Sequence, residues 1–598
     1  MTYAEQEQEQ RQRRSSRAAG AGTALAVCVP MAVMLGIGLW GLDREGMWRD
    51  EGVTFQVARR SVPEIWRLLR DVDAVHGLYY LLMHVVLAHY PGEPGEVALR
   101  LPSVLGATAA AGLVAALGAR LVRPRVGLWA GSLFAVTPMT GHYAQEGRSY
   151  ALVAAGVAGA TLLLVRRVWW AYGLVLGAAC LLHELAVLVV GAHAVTLAAG
   201  RVSRRVWFGW GRAVAGAGMV LLPLVALSWV QAGQVEWLPV PEWGTAERLL
   251  RGFVAGPSGV VFGACVLLMA VGLGTGRVTA VALPLLVVPP GLLIAVSQVR
   301  PVYDDRYVLY ALAGAPLLVA AGADRVAALL AREHLDARLR GRSTGRPLRR
   351  PLIPRIPLAG ALAITLAFLH HLPLHRQDRS PTHRPDNLAA TSAFAARHLR
   401  PGDPVLYLPS IGRRSALAYP KGFRWARDIA LLHSAPRSGT LYGREVGAEE
   451  LRRRLDSVDR VWVVAEPYAL RSHWYPRNPT ERAKLDIVAE EFRPLPAGRH
   501  DDPLRLYVRR QPTQHAAGPN RARPTRQNSA EQHAAPHHGA PHEETAQSER
   551  GSPHEHAAAP EHTTQPEHGA PHEAPEHPSP PTPPAPPTPP AQPRPERP

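Results

Sequence analysis

Two adjacent carboxylates, Asp50 and Glu51, stand in the stretch Met47-Trp48-Arg49-Asp50-Glu51-Gly52, directly after the first apolar run of the chain. An ionised pair at a bilayer surface is costly unless it does chemistry or meets a cation. A carboxylate can accept the proton of a hydroxyl group, and arginine clamps a phosphate through its bidentate fork. What matters next is which other polar groups the chain brings to the same side.

The elements that must position them are membrane helices. The 598 residues carry a net charge of +18 and three cysteines. Their mean hydropathy of −0.05 averages two unlike halves. Residues 21–371 hold repeated apolar runs. A spanning helix needs roughly 20 apolar residues, and about eleven such runs occur. The fold class expected is a polytopic α-helical membrane protein. Basic clusters such as Arg120-Leu121-Val122-Arg123-Pro124-Arg125, Arg166-Arg167, Arg201 to Arg212 and Arg325 to Arg355 lie between runs. Lys/Arg clusters in short loops mark the cytoplasmic side, and no basic stripe interleaved with aromatics marks a nucleic-acid groove. Cys28, Cys180 and Cys265 fall inside apolar runs without CxxC spacing, so they read as core residues.

The basic segment 1–20 precedes an uncleaved first span at 21–41, so the N-terminus is expected inside and the loop 42–96 outside. Alternate counting puts the further spans near 97–119, 126–141, 150–165, 168–183, 184–199, 212–230, 257–275, 278–297, 307–323 and 356–371. Gly141-His142-Tyr143 and Leu182-His183-Glu184 then become tight outer turns. Leu78 to Tyr90, closed by Pro91-Gly92, is too short to span and suits a helix lying along the outer surface.

With this count the outer face collects Asp50, Glu51, Asp73, His76, Arg100, Tyr143, Gln145, Glu146, Arg148, Tyr150, His183, Glu184, Asp304, Asp305 and Arg306, from five loops. Singly, each has a plain structural reading. Asp50 and Glu51 fit a solvated loop equally well, Arg100 can snorkel to headgroups, Arg148 can pair with Glu146 or Glu184, and Asp304 suits a helix start. His183 suits a turn, and Trp and Tyr at span ends suit interface anchors. Together the acids and arginines suit a substrate bearing a phosphate and a hydroxyl.

At these residues the chain resembles the GT-C superfamily of membrane glycosyltransferases, in particular the protein O-mannosyltransferase-like family 39 and the bacterial aminoarabinose transferases of lipid A. The resemblance rests on Trp48-Arg49-Asp50-Glu51-Gly52, His76-Gly77-Leu78-Tyr79-Tyr80, Ala98-Leu99-Arg100-Leu101-Pro102-Ser103 and His142-Tyr143-Ala144-Gln145-Glu146-Gly147-Arg148-Ser149-Tyr150, with a weaker match at Asp305-Arg306-Tyr307-Val308-Leu309. It covers residues 20–325 in the family's order. Gly77-Leu78 replaces a proline pair frequent in the family, and Gly147 stands where alanine is frequent.

The resemblance implies a sugar donor carried on a polyprenyl phosphate at the outer face of the cell membrane, mannose being favoured, and a protein, glycan or lipid acceptor. It implies Asp50 as general base, Glu51 as the group that positions Asp50 or the acceptor, and inversion at the anomeric carbon. Arg100, with Arg148 or Arg306, would neutralise the departing phosphate, and His76 would touch that phosphate or a neighbouring carboxylate. Glu146 and Tyr150 belong to the expected substrate-binding set. No compact ligand motif assigns a metal; the family is not uniform on a divalent ion, which stays open. The lack of a glycine-rich phosphate loop disfavours a soluble nucleotide-sugar donor.

Residues 372–510 are expected to form a small α/β domain on the outer side, with strands at Asp403 to Leu408, Arg460 to Ala465 and Leu504 to Val508 and a helix at Glu449 to Asp459. Recognition of the acceptor and simple packing are both open roles for it. Residues 511–598, rich in His, Pro, Glu and Ala and repeating His-Gly-Ala-Pro-His-Glu at 538–543 and 568–573, are expected to be disordered. Two rival functions remain. A transporter or flippase would place ionisable groups or broken helices at the midplane, for which Pro289-Pro290 is the one candidate. A ligase would move a whole glycan from the same type of carrier.

Overall fold

The structure is a computed structural model that describes residues 3–90, 95–235, 238–342, 356–380, 386–471, 474–495 and 504–510. The tail 511–598, the Pro91-Gly92 stop and residues 343–355 of the basic run ending at Arg355 lie outside the described residues. Helix α1 (Tyr3–Leu39) leads into three helices of the first loop, α2 (Arg49–Ala58), α3 (Val62–Asp71) and α4 (Gly77–His89). Next come α5 (Glu96–Leu121), α6 (Pro124–Val136), α7 (Pro138–Ala144), α8 (Tyr150–Arg166), α9 (Trp169–Leu182) and α10 (Val189–Ala199). The bundle ends with α11 (Arg204–Val230), α12 (Thr245–Val254), α13 (Gly259–Gly272), α14 (Arg277–Ser297), α15 (Gly314–Arg342) and α16 (Ile356–Gln377).

The chain is a multi-pass membrane protein. Among the described residues six helices are long and apolar enough to span, or seven if α12 and α13, bent by 96°, act as one. That is fewer than the eleven apolar runs, for a physical reason. Tyr150–Arg166, Trp169–Leu182 and Glu184–Ala199 are apolar but short. The run at 126–141 is broken where Thr137 turns extended ahead of Pro138, and the residue before a proline is pushed out of the helical region. Non-helical backbone at such breaks is tolerable where protein covers it. Gly141 to Tyr143 are accordingly not a turn but part of α7, whereas His183 does break the chain, between α9 and a 3₁₀ turn at Glu184–Leu188. Conversely α14 runs unbroken through Pro289 and Pro290, and α16 continues to Gln377, beyond the expected boundary at 371. Cys180 is buried and Cys265 half-buried, but Cys28 is exposed on α1 rather than in the core.

Small residues let these helices approach closely. A Cβ on Gly322 of α15 would stand 1.9 Å from the Leu268 carbonyl oxygen of α13, and one on Gly127 of α6 2.2 Å from that of Ala115 on α5. Without a hydrophobic drive between helices in lipid, such close packing is what holds them.

After α16, α17 (Leu388–His398) opens the α/β domain. Its strands are β1 (Pro404–Leu408), β2 (Arg427–Asp428), β3 (Leu431–His433), β4 (Arg444–Glu445), β5 (Arg460–Ala465), β6 (Phe492–Pro494) and β7 (Leu504–Arg509). The main sheet has the order β2-β1-β5-β7-β6, with β3 and β4 forming a separate ladder. Strands β2, β1 and β5 are parallel and β7 and β6 antiparallel. The expected helix is present as Ala448–Asp456. Hydrophobic alternation made these strands readable, since Val461, Val463 and Leu406 fill the core under the sheet.

Because the obstacle at Gly322 is backbone, Gly322→Ala should lower stability by about 1–3 kcal/mol. Thermal unfolding of the purified protein in detergent should show the loss.

Candidate active site

The site is built from the first turn of α2. Successive residues of a helix point about 100° apart, so the two carboxylates part company. Glu51 turns into the protein and is fully buried. Its Oε1 accepts from Arg100 Nε at 2.8 Å and from the Gly147 amide at 2.8 Å, and its Oε2 accepts from Arg100 Nη2 at 2.7 Å. Arg100 Nη1 donates to the carbonyls of Leu42 and Glu45, and Nη2 also to that of Gly46. All five guanidinium donors are therefore committed, and Arg100 is 1% exposed. The expectation that Arg100 meets a lipid phosphate or headgroup does not fit this cage. Its charge is cancelled by Glu51 and its donors are consumed by the chain itself. Glu51, likewise enclosed, acts on Asp50 only through the shared helix turn.

Asp50 turns the other way and keeps 22% of its side chain exposed. Its Oδ2 lies 3.0 Å from Arg306 Nη1 and 3.8 Å from Arg148 Nη2. Residues 50, 148 and 306, expected from three separate loops, thus converge. Arg306 also approaches Asp304 at 3.2 Å, and its guanidinium lies over the rings of Trp48, Tyr150 and Tyr307 at 5.6–5.8 Å. This aromatic cage holds a cation without neutralising it. Arg148 is positioned by Thr54 Oγ1 at 3.3 Å and His76 Nε2 at 2.8 Å, while its own carbonyl accepts from Ser103.

His76 Nε2 accepts the hydrogen bond from Arg148 and so carries no proton; burial first, then the charge of Arg148, hold its pKa well below the usual value. The same causes bring His183 down to about 3. Asp73 is pushed up by burial, against the pull of Arg148; it accepts a hydrogen bond from Tyr80 and lies 3.8 Å from His76. Its backbone is left-handed, with φ of 64°, a strained state for a non-glycine residue of the kind found at functional sites. Burial also raises Asp304, with Arg306 opposing.

Other expected members sit at different distances from Asp50. Tyr143 and His183 pack their rings against Tyr150 at 5.7 Å, and Glu146 is buried beside them, acting on the Tyr150 and Tyr143 phenols. Gln145 is a tie, donating to the carbonyls of Gly38 and Trp40 at the end of α1. Glu184 accepts from Ser228 and Asp305 from Tyr303, so neither is directed at Asp50. Trp48, Thr54 and Tyr307 were not singled out from the sequence. Trp48 and Tyr307 stand beside the charged residues within the matched stretches 48–52 and 305–309, and that is the signal that marks them. Among the described residues no group of three or more His, Cys, Asp or Glu is placed to hold a metal ion.

This geometry separates two kinds of residue. Arg100→Leu leaves Glu51 buried without its partner and should cost about 3–5 kcal/mol, seen as lost yield of folded protein on size exclusion. Arg306→Gln removes a partner that Asp50 shares with Arg148, so it should cost less, about 1–3 kcal/mol, read as a smaller fall in melting temperature.

No protein-family model matches the sequence, and no curated protein matches it. Among solved structures, ArnT from Cupriavidus metallidurans in the apo state aligns at a TM-score of 0.52 and 12% identity, over 81% of this chain and 97% of that one. The same protein bound to undecaprenyl phosphate gives 0.48 and 13%, over 81% and 97%. The oligosaccharyltransferase AglB from Archaeoglobus fulgidus, in complex with an inhibitory peptide and a dolichol-phosphate, gives 0.43 and 10%, over 74% and 69%. The fold assignment rests on the first alignment, which covers 81% of this chain. At 12% identity that likeness shows the fold alone: the chain shares the fold of ArnT.

Proposed function

We infer that the protein is a membrane glycosyltransferase that moves a sugar from a polyprenyl-phosphate donor to an acceptor hydroxyl at the extracytoplasmic face of the cell membrane. The observation that carries this reading is the placement of one half-open carboxylate, Asp50, against two guanidinium groups, Arg148 and Arg306, whose charge it does not cancel. The GT-C fold and the order of the sequence motifs support it. Mannose is favoured among sugars by the resemblance to family 39.

The chemistry follows from the charges. A polyprenyl-phosphate sugar brings one phosphodiester anion to the pocket, and Arg306 and Arg148 are the cations facing it. As they turn to the phosphate, Asp50 is relieved of its counter-charges while the acceptor hydroxyl arrives. The hydroxyl oxygen then attacks the anomeric carbon and its proton passes to Asp50. The bond from the anomeric carbon to the phosphate oxygen breaks, and its electron pair leaves with the polyprenyl phosphate. A single displacement inverts the anomeric configuration. Charge grows on the departing phosphate in the transition state, where fixed cations are most effective. Glu51 and Arg100 hold the helix turn that aims Asp50. His76, neutral and hydrogen-bonded to Arg148, orients that guanidinium, and Tyr150 walls the cage around Arg306 beside Glu146.

Purified protein supplied with radiolabelled polyprenyl-phosphate sugars and candidate acceptors tests this. Asp50→Asn should lose transfer by about 10²–10⁴-fold, the range of a general base, with an unchanged melting temperature. Arg306→Gln should lose about 10²-fold. Undiminished turnover in Asp50→Asn removes the proposed base. Substrate flux across sealed vesicles without sugar transfer favours a transporter instead. Cysteine labelling should find positions 50 and 148 on the same, extracytoplasmic side.

A further inference from the structure

The α/β domain brings a second polar cluster to the neighbourhood of Asp50, and nothing in the mechanism above uses it. Strands β1 and β5 are parallel, with Leu408 in register with Ala465, so their carboxyl ends lie side by side. Open α/β sheets bind ligands in the crevice outside those ends. Here the chain beyond the two ends supplies Arg414 and Glu466. Arg414 Nη2 donates to Glu466 at 3.0 Å and to Asp386 at 3.3 Å. Asp386 in turn takes both Nε and Nη2 of Arg49, at 2.6 and 3.1 Å. Arg49 is the residue before the proposed base, and 49% of its side chain is exposed. Among the described residues its Nη1 has no partner. The half-buried Tyr442 phenol lies within the fields of Arg414, Asp73, Asp50 and Arg49, which bridges the cluster to the reaction centre.

Aromatic side chains continue from it. Tyr468, in the helix after β5, lies within the fields of Glu466, Arg414 and Arg49 and is 45% exposed. Trp474 meets it edge-on at 5.8 Å, and Tyr475 beyond is 73% exposed.

We propose that this rim, formed by Arg49, Arg414, Glu466, Tyr468 and Trp474, is a saccharide subsite, and that the acceptor is a glycan whose hydroxyl it delivers to Asp50. This rests on the reading of Asp50 as the base. The chemistry distinguishes a glycan from the other acceptors. With Asp386, which pairs both arginines, Glu466 balances Arg49 and Arg414, so the cluster has no net charge to attract an anionic headgroup. Paired guanidinium and carboxylate edges offer donors and acceptors together, as vicinal hydroxyls require. Tyr468 is exposed and Trp474 half-buried, and rings with one polar end take the apolar faces of sugars while staying wet. A peptide added as a strand would need a free sheet edge, and the outer strands β2 and β6 are only two and three residues long.

The test is direct binding to full-length Asp50→Asn, which needs no turnover. The probes are manno-, galacto- and arabino-tetrasaccharides, and a Ser/Thr-rich peptide of similar mass, titrated by calorimetry. At least one saccharide should bind and the peptide should not. Tyr468→Leu, Trp474→Leu and Glu466→Gln, placed in the same background and checked for an unchanged melting temperature, should each weaken binding about tenfold, equivalent to about 1.4 kcal/mol. Trp425→Leu, at an exposed ring elsewhere in the domain, should have no effect. In the otherwise wild-type enzyme Tyr468→Leu should raise KM for the saccharide and leave kcat unchanged. Failure of every saccharide to bind, binding of the peptide alone, or wild-type affinity in all three variants overturns the proposal. Saccharide binding that is lost in those variants upholds the subsite even if wild-type protein transfers no sugar, a result that would instead remove the transferase reading.

Discussion

The architecture of the site depends on one buried ion pair. Arg100 and Glu51 satisfy one another in a region without water, and between them they grip four stretches of chain. These are α5, the turn after α1 through three carbonyls, the first turn of α2, and the Gly147 amide. A buried pair of this kind adds little net stability over an apolar equivalent, yet loss of either partner is severe. Its value lies in specificity. The Glu51 carboxylate has a single complete set of partners, so α2 has one register, and Asp50 has one direction in which to point.

From that constraint comes the division of labour between adjacent acids. Glu51 is spent on structure and Asp50 remains available, although nothing distinguishes their chemistry. The arginines divide in the same way. Arg100 is sealed by carbonyls and a carboxylate, while Arg306 lies among three ring faces and pairs with Asp304 and with the partly exposed Asp50. Arg148 is intermediate, fixed by neutral partners, Thr54 and His76. Arg306 and Arg148 both face the partly exposed Asp50, whereas every donor of Arg100 is consumed inside the protein, and this is why Arg306 and Arg148, not Arg100, are the ones proposed to meet a phosphate.

Much of this was legible in the sequence. The membrane class, the first-loop acids, the motif around Arg148 and the three long strands all carry local patterns, in apolar length, charge placement and alternation. The convergence of residues 50, 148 and 306 followed from counting spans. What the sequence left hidden is direction. Leu99-Arg100-Leu101-Pro102 looks like the start of a span with a snorkelling arginine, and only the packing of α5 against the turn after α1 shows the guanidinium facing inward. Helix breaks were hidden for a similar reason. An apolar run does not reveal whether its backbone stays helical, so 126–141 and 184–199 read as single spans. Glu184 and Asp305 were grouped with the site by loop membership, yet each is taken by a nearby hydroxyl. The cluster of Arg49, Asp386, Arg414 and Glu466 was invisible because Arg49 lies 337 residues from Asp386 and the other three stand in no motif.

Helix α2 is also gripped from its other face, by the α/β domain. The Met47 amide donates to Tyr419 Oη at 2.7 Å, and the Tyr419 hydroxyl donates to Glu96 at the start of α5. Arg49 pairs with Asp386, Gln56 donates to the Leu441 carbonyl at 2.8 Å and Arg60 to that of Thr440 at 3.0 Å. Gly52 faces Leu388 and Ala418 so closely that an added Cβ would lie 2.9 Å from the Leu388 side chain. The bundle therefore sets the inward face of a ten-residue helix and the α/β domain sets its outward face. A group held on both sides loses little further freedom when its substrate arrives, and a catalytic carboxylate profits from that directly. It also follows that the α/β domain cannot be regarded as an appendage. Its hydrogen bonds end within one residue of Asp50, so any ligand that shifts it relative to the bundle acts on the position of that carboxylate.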